Sequence, residues 1–287
     1  MVIADQRKRQ RPGIIPGGIN VSKWPWWAIA LALAGVFLVF LVLGSSNYQN
    51  TFLYLTQGII TTLRITLFSF LLATFLGLPT GLARISKNAI FRNLSTLYVE
   101  VVRGIPLLVL IIYIAYALFP LFVSLINGLG NWGQVILPAS GFFQSLSSFT
   151  IRNVTQEGRA IIALGLGYGA FEAEVFRAGI QSIGKGQTEA AKSLGMNYFQ
   201  TMRFIILPQA IRRVLPPLGN DFIACLKDSS LVSVVAVNEL TQMGRLRTAS
   251  TFRAMETYNM VAFLYLSMTL LLSLLVRWLE HRMKIEE

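Results

Sequence analysis

QTEAAKSLGMNYFQTMRFIILP, residues Gln187 to Pro208, is a short polar stretch between two strongly apolar segments, so it must leave the bilayer and re-enter it within its own length. Thr188 to Leu194 is centred on Ala190 and Ala191, with Glu189 early and Lys192 late, which suits a short helix and its dipole. Gly195 supplies a C-terminal stop. Asn197 then caps a second helix, Tyr198 to Ile206, whose aromatic and aliphatic residues lie against the membrane, and Pro208 permits a fresh helical start after Leu207. These parts predict a helix-turn-helix knob on a membrane domain. The small side chains of Ala190 and Ala191 let another protein's surface approach the backbone.

The composition agrees with a polytopic membrane protein. Of 287 residues, 54% are hydrophobic and 13% charged, about half the charge of a typical soluble domain. No residue is charged from Trp24 through Leu63 or from Gly104 through Ile151, lengths over which a soluble surface would need charge. The formal charge of +12 is strung between apolar segments instead of gathered in one patch, which points to the membrane surface and away from nucleic acid. Cys225 is the single cysteine and has no internal disulfide partner; His281 is the single histidine, so no His-based metal or catalytic cluster is expected.

Outward from the knob, six spans are expected. Residues 1–23 form a basic arm with Arg7, Lys8, Arg9 and Arg11, read as cytoplasmic. Residues 24–44 form an additional N-terminal transmembrane helix with Trp24, Trp26 and Trp27 as its aromatic girdle; its apolar core is too long for a cleaved signal peptide. Further spans are expected at Ile59–Ala83, Gly104–Ile126, Arg159–Ile180, an irregular segment after Pro208, and Thr257–Val276. The apolar Phe142, Phe143 and Leu146 suggest that the loop at 127–158 folds against the outer face, and Gly165-x-x-x-Gly169 offers a small-residue ridge for close helix packing. Most basic residues then fall in cytoplasmic segments with both termini inside, although Arg245, Arg247 and Arg253 fall in the last outer loop.

Ionisable residues at membrane depth are costly and so are functional candidates. Glu174 and Arg177 can pair along one helix, whereas Glu172 has no basic neighbour at helical spacing; it either meets Arg64 or Lys227 from another helix or faces the pathway, and Asp221 shares that ambiguity. Ser229 and Ser230 precede the apolar run Leu231–Val237, which, as a half-helix, would aim its free amides at a carboxylate, with Lys227 as a further anion contact; a simple surface turn is the other reading. Gly179-x-x-x-x-Gly184-Lys185 imitates a phosphate-binding loop, but Gly186 stands where a Ser or Thr is needed and no strand precedes it. The sequence contains no set of nucleophile, base and oxyanion donors, so the chain is not expected to be an enzyme.

In order, Gly58-x-x-x-Thr62-Leu63, Val102-Arg103-Gly104-Ile105-Pro106-Leu107, Glu174-x-x-Arg177-x-Gly179-Ile180, Glu189-Ala190-Ala191 with Gly195 and Ile206-Leu207-Pro208, and Leu226-Lys227-Asp228-Ser229-Ser230-Leu231 occupy residues 58–284. This series resembles the permease subunits of bacterial ATP-binding-cassette (ABC) importers, and within them the polar amino acid permeases of the histidine, glutamine and arginine type. The resemblance implies an all-α membrane fold of the type I importer class, with a cytoplasmic EAA coupling helix in the loop at 182–208. It implies ATPase coupling through the knob, at Glu189, Ala190, Ala191, Gly195, Leu207 and Pro208. The polar and ionisable residues at membrane depth give the candidate substrate pathway: Glu172, Asp221, Lys227, Ser229, Ser230, Glu174, Arg177 and Arg64.

On the same basis no cofactor is bound by this chain; ATP and Mg belong to partner ATPase subunits. The other implied partners are a second permease copy or sister permease, an extracytoplasmic solute-binding protein, the amino acid itself and membrane lipid, in the bacterial cytoplasmic (inner) membrane. The helix at 24–44 departs from the family, which usually begins at the next segment. A secondary transporter or channel working without ATP, and the same machine carrying another solute, are the alternatives.

Overall fold

The computed structural model describes residues 26–138 and 140–283, and these form helices and short connections with no strand. The basic arm at 1–23 lies outside the described residues. The order is α1 (Trp26–Gly44), α2 (Ser46–Arg84), α3 (Ala89–Gly104), α4 (Leu107–Tyr113), α5 (Phe119–Ile136), α6 (Gly141–Ser147), α7 (Gln156–Gln181), α8 (Lys185–Ser193), α9 (Tyr198–Thr201), α10 (Leu207–Asp228), α11 (Leu240–Thr251) and α12 (Ala254–Met283). Three helical stretches are long and apolar enough to cross a membrane: Ser46–Arg84, Leu107–Ile136 and Ala254–Arg282. Helices α7 and α10 carry more ionisable side chains and pack in the centre, α7 lying along α2 on one side and against α10 on another.

Helix α7 is central because its sequence is small on several faces. Ala160, Ala163, Ala170 and Ala173 are fully buried, and Gly165 and Gly169 let Leu72, Leu76 and Tyr98 close in, so the small-residue ridge packs as expected. Tyr98 of α3 donates its hydroxyl to the carbonyl of Leu166 at 2.6 Å, which holds α3 against α7. The segment between the second and third expected spans is thus the helix α3, an element not anticipated from the sequence.

Several boundaries differ from expectation. Helix α2 begins at Ser46, not Ile59, because Leu55 and Thr51 are buried and Leu55 packs with Leu240, Met243 and Met260; tertiary burial overrides the polar composition of residues 46–57. The third span contains a π-helical turn, Ile114–Leu118, and does not end at Ile126 but continues as α5 to Ile136. That turn stands just before Pro120, whose ring excludes normal α bonding to the residue four back. Helix α6 folds onto α5 with Phe143 against Gly133 and Gln134 donating to the Ser147 hydroxyl at 2.9 Å, whereas Phe142 stays exposed.

The segment expected to be the last outer loop is the helix α11, capped by Glu239, whose carboxylate accepts from the amides of Thr241 and Gln242 at 2.8 and 2.7 Å. Two of the three arginines expected in this loop have local partners, and Arg245 is exposed. Arg247 donates to Thr51 at 3.3 Å and lies 5.5 Å over the Tyr54 ring, and Arg253 pairs with Glu256 at 3.3 Å. The orientation itself is open to direct test. In a Cys225→Ser background, Ser46→Cys, Ser140→Cys and Ser250→Cys should react with an impermeant thiol reagent from outside intact cells. Labelling of Ser193→Cys from outside would reverse the topology.

Candidate functional site

Two regions draw on the candidate residues, one inside the helix bundle and one on the knob. Inside the bundle, a polar seam runs where α2, α7 and α10 meet. Glu172 is fully buried, and its Oε2 accepts from Thr74 Oγ1 at 2.8 Å while its Oε1 has no hydrogen-bond partner among the described residues. Asp221 Oδ2 and Ser69 Oγ are likewise buried without partners. Glu172 stands on α7 and Asp221 on α10, helices that pack together. Farther along, Tyr168 donates to Asp228 at 2.7 Å, and the Cys225 thiol faces the Thr66 carbonyl at 3.9 Å. Two carboxylates sharing a low-dielectric seam with spare acceptor oxygens form a place for a cation or a hydrogen-bond donor, since an unpaired buried polar atom is costly.

Glu172 meets neither of the partners expected of it. Arg64 pairs instead with Glu157, at 3.3 Å, and Lys227 is exposed with no ion pair among the described residues. Glu174 and Arg177 do pair, in a wider cluster: Arg84 reaches Glu174 at 2.7 Å and Glu100 at 3.2 Å, and Arg177 also donates to Gln181. This cluster ties the ends of α2, α3 and α7 together and stands apart from the seam.

Of the two readings of the run after Ser230, the half-helix does not form. Helix α10 runs without a break into a 3-10 turn at Ser229–Val235; the amide of Ser229 bonds back to Cys225, and the Ser229 and Ser230 hydroxyls donate to the carbonyls of Leu226 and Lys227, each at 2.7 Å. Free amides are therefore not presented to a carboxylate at that point. The segment after Pro208, expected to be irregular, is one helix to Asp228, with Pro216, Pro217 and Gly219 inside it.

The knob follows the sequence closely. Helix α8 spans Lys185–Ser193 and ends at Gly195 with φ of 78°; the Gly195 amide bonds to Lys192 O at 2.9 Å and the Met196 amide to Ala191 O at 3.1 Å, the paired bonds of a Schellman stop. Asn197 and Gln200 form a reciprocal capping box, both bonds at 2.9 Å. Ala191 differs from expectation: it is 3% exposed and faces inward, where α8 packs on residues 202–206. Glu189 and Ala190 are the outward residues, and the Glu189 carboxylate has no partner among the described residues. Leu194, Tyr198, Phe199 and Phe204 are all more than half exposed, and Leu194 and Phe204 line a cleft beside Gly195. Pro208 does not start a separate helix; residues 202–206 widen into a π-helical turn that carries the chain directly into α10. Gly184, in the phosphate-loop imitation, is the residue that caps α8 after a helix, not a strand.

Asp228, Tyr168, Thr74 and Arg84 received no role from the sequence. Asp228 stands inside a quoted motif but offers no helical-spacing partner, and Thr74 becomes relevant only when α2 and α7 are packed.

A family model described as binding-protein-dependent transport system inner membrane component matches residues 69–285. The chain is 36% identical over 231 residues to the glutamine transport system permease protein GlnP of Escherichia coli (strain K12), covering 80% of this chain and 93% of that relative. It is 41% identical over 209 residues to the probable glutamine ABC transporter permease protein GlnM of Bacillus subtilis (strain 168), covering 73% of this chain and 83% of that protein. A solved structure described as an amino acid ABC transporter with histidines superposes with a TM-score of 0.65 at 34% identity, covering 84% of this chain and 97% of that one.

Proposed function

The chain belongs to the family of binding-protein-dependent transport system inner membrane components, and from that premise we propose that it imports polar amino acids, driven by ATP hydrolysed in separate ATPase subunits that dock on the α8–α9 knob. ATP and Mg stay with those subunits. Two permease chains, identical or sister, enclose the path, and a solute-binding protein delivers the amino acid from the outer side, with both termini of this chain cytoplasmic.

The observation that carries the substrate side is the pair of buried, partnerless oxygens on Glu172 and Asp221. A zwitterion crossing a low-dielectric bundle needs an acceptor for its ammonium group, and a carboxylate already held by Thr74 on one oxygen offers its other oxygen without reorganising. The carboxylate end of the solute loses the helix-terminus support expected at Ser229 and Ser230, which leaves Lys227 as the cation for it. Two acids against one lysine favour cationic or neutral amino acids over acidic ones. Glu174, Arg177 and Arg64 are ion-paired and take a structural share in this reading.

The test is transport by reconstituted importer with Glu172→Gln and Asp221→Asn. Losing one charge-assisted contact of about 1.5–3 kcal/mol corresponds to roughly a tenfold or greater fall in uptake of cationic amino acids, with a smaller fall for neutral ones and normal assembly. Unchanged uptake and unchanged substrate-stimulated ATPase activity in both variants would move the site out of the seam.

A further inference from the structure

The helix α1, which the resembling family usually lacks, stands beside α12 and leaves a cleft of about 660 Å³ between them. Its walls are apolar, from residues such as Leu31, Leu38, Leu270 and Leu274. Ser267 and Ser273 also line it, but their hydroxyls donate to carbonyls of their own helix, at 2.8 and 2.7 Å, so they add no free donor. Arg277 is the single charged residue of the lining; it is exposed and has no ion pair or hydrogen bond among the described residues.

We propose that this cleft is a binding site for an anionic phospholipid, with one acyl chain between α1 and α12 and the phosphate on Arg277. A long apolar cleft with one cation at its end matches an amphiphile with one anionic head and a hydrocarbon tail. The dimensions agree. The helices close on each other where Gly35 meets Phe263, and from there to Arg277 is about 21 Å of helix rise, enough for the roughly 15 Å of one leaflet and the glycerol region beyond it. The depth agrees as well. One residue past Arg277, Trp278 lies under the Arg282 guanidinium at 5.1 Å, an aromatic and cationic pair of the kind that marks the interface with headgroups. A second permease helix would bring side chains to Arg277 as well, but the rest of the lining is uncharged and, apart from the internally bonded serines, offers only Asn259 as a polar side chain, too little to fix the register of such a helix, whereas a flexible acyl chain needs none. The lipid then fills the space between α1 and α12, and the added helix is attached to the bundle partly through it. The proposal does not rest on the transport reading.

The test is native mass spectrometry of the full-length chain, purified in detergent, delipidated, and exposed to phosphatidylglycerol or phosphatidylcholine at equal concentration. Wild type should retain phosphatidylglycerol preferentially. Arg277→Gln should reduce that retention about fivefold while leaving phosphatidylcholine binding unchanged, the effect of one basic residue at a headgroup. Ala262→Phe, which fills the cleft wall, should reduce retention of both lipids. Equal retention of the two lipids by wild type, or unchanged phosphatidylglycerol retention in both variants, would overturn the assignment. So would a photo-crosslinker at Ala262 that captures a second permease chain instead of lipid in membranes.

Discussion

Gly77→Val and Gly81→Val are expected to abolish accumulation of folded, monodisperse protein. A Cβ at Gly77 would lie 2.9 Å from Glu172 Cβ and 3.0 Å from the Gly169 carbonyl oxygen; one at Gly81 would lie 2.7 Å from the Ala173 carbonyl oxygen and 2.9 Å from Phe176 Cβ. The obstacles are mostly backbone of α7, which cannot rotate away as a flexible side chain could. The two helices must separate along their whole contact, and overpacking of this kind costs about 3 kcal/mol or more, a large part of the 5–15 kcal/mol that typically holds a fold. The same separation would pull Glu172 off Thr74, so any surviving protein should also transport poorly. Gly128→Ala is the matched control: a Cβ there meets nothing within 4 Å, and the exchange should be neutral or slightly stabilising. Fluorescence-detected size-exclusion profiles and apparent melting temperatures decide the matter. Wild-type profiles for both valine variants would mean that α2 and α7 are not packed this closely.

Why some of this was legible in the sequence and some was not follows from the range of the interactions. Gly195 and Asn197 announce their conformations through contacts within a few residues, so the turn and the capping box of the knob could be read directly. The Glu174–Arg177 pair is also local, one turn apart on α7. Thr74 and Glu172 are distant in sequence, as are Tyr168 and Asp228, and nothing in either segment alone predicts that they meet. Length errors have the same source: α2 extends to Ser46 because Leu240 and Met260 cover its first turns, and α11 forms where burial of Glu239 supplies an unusual cap. Proline misled in a different way. Pro208 reads as a fresh helical start, but a π-helical turn before it absorbs the missing hydrogen bond and lets the helix continue, as another does before Pro120.

Gly195→Val and Glu189→Lys are expected to uncouple ATP use from transport if the knob is the ATPase docking element. Gly195 sits at φ of 78°, a left-handed conformation that costs an L residue about 1–2 kcal/mol and a β-branched one more. Relieving that strain would break the bonds from Gly195 to Lys192 and from Met196 to Ala191, and so would re-aim α9 relative to α8. The damage stays local, because a Cβ at Gly195 meets nothing within 4 Å and the knob's inward anchor, Ala191, is untouched. Glu189→Lys tests charge instead of shape: its carboxylate is exposed and has no partner among the described residues, so its reversal should leave the fold intact and repel a basic docking surface. In proteoliposomes with the partner ATPase, uptake should fall at least about tenfold for each variant, corresponding to a coupling loss of about 1.4 kcal/mol. Gly195→Asn should retain most activity, since Asn tolerates the left-handed region, and that rescue separates turn geometry from a need for glycine itself. Full ATP-coupled uptake in both Gly195→Val and Glu189→Lys would show that the ATPase engages this chain elsewhere.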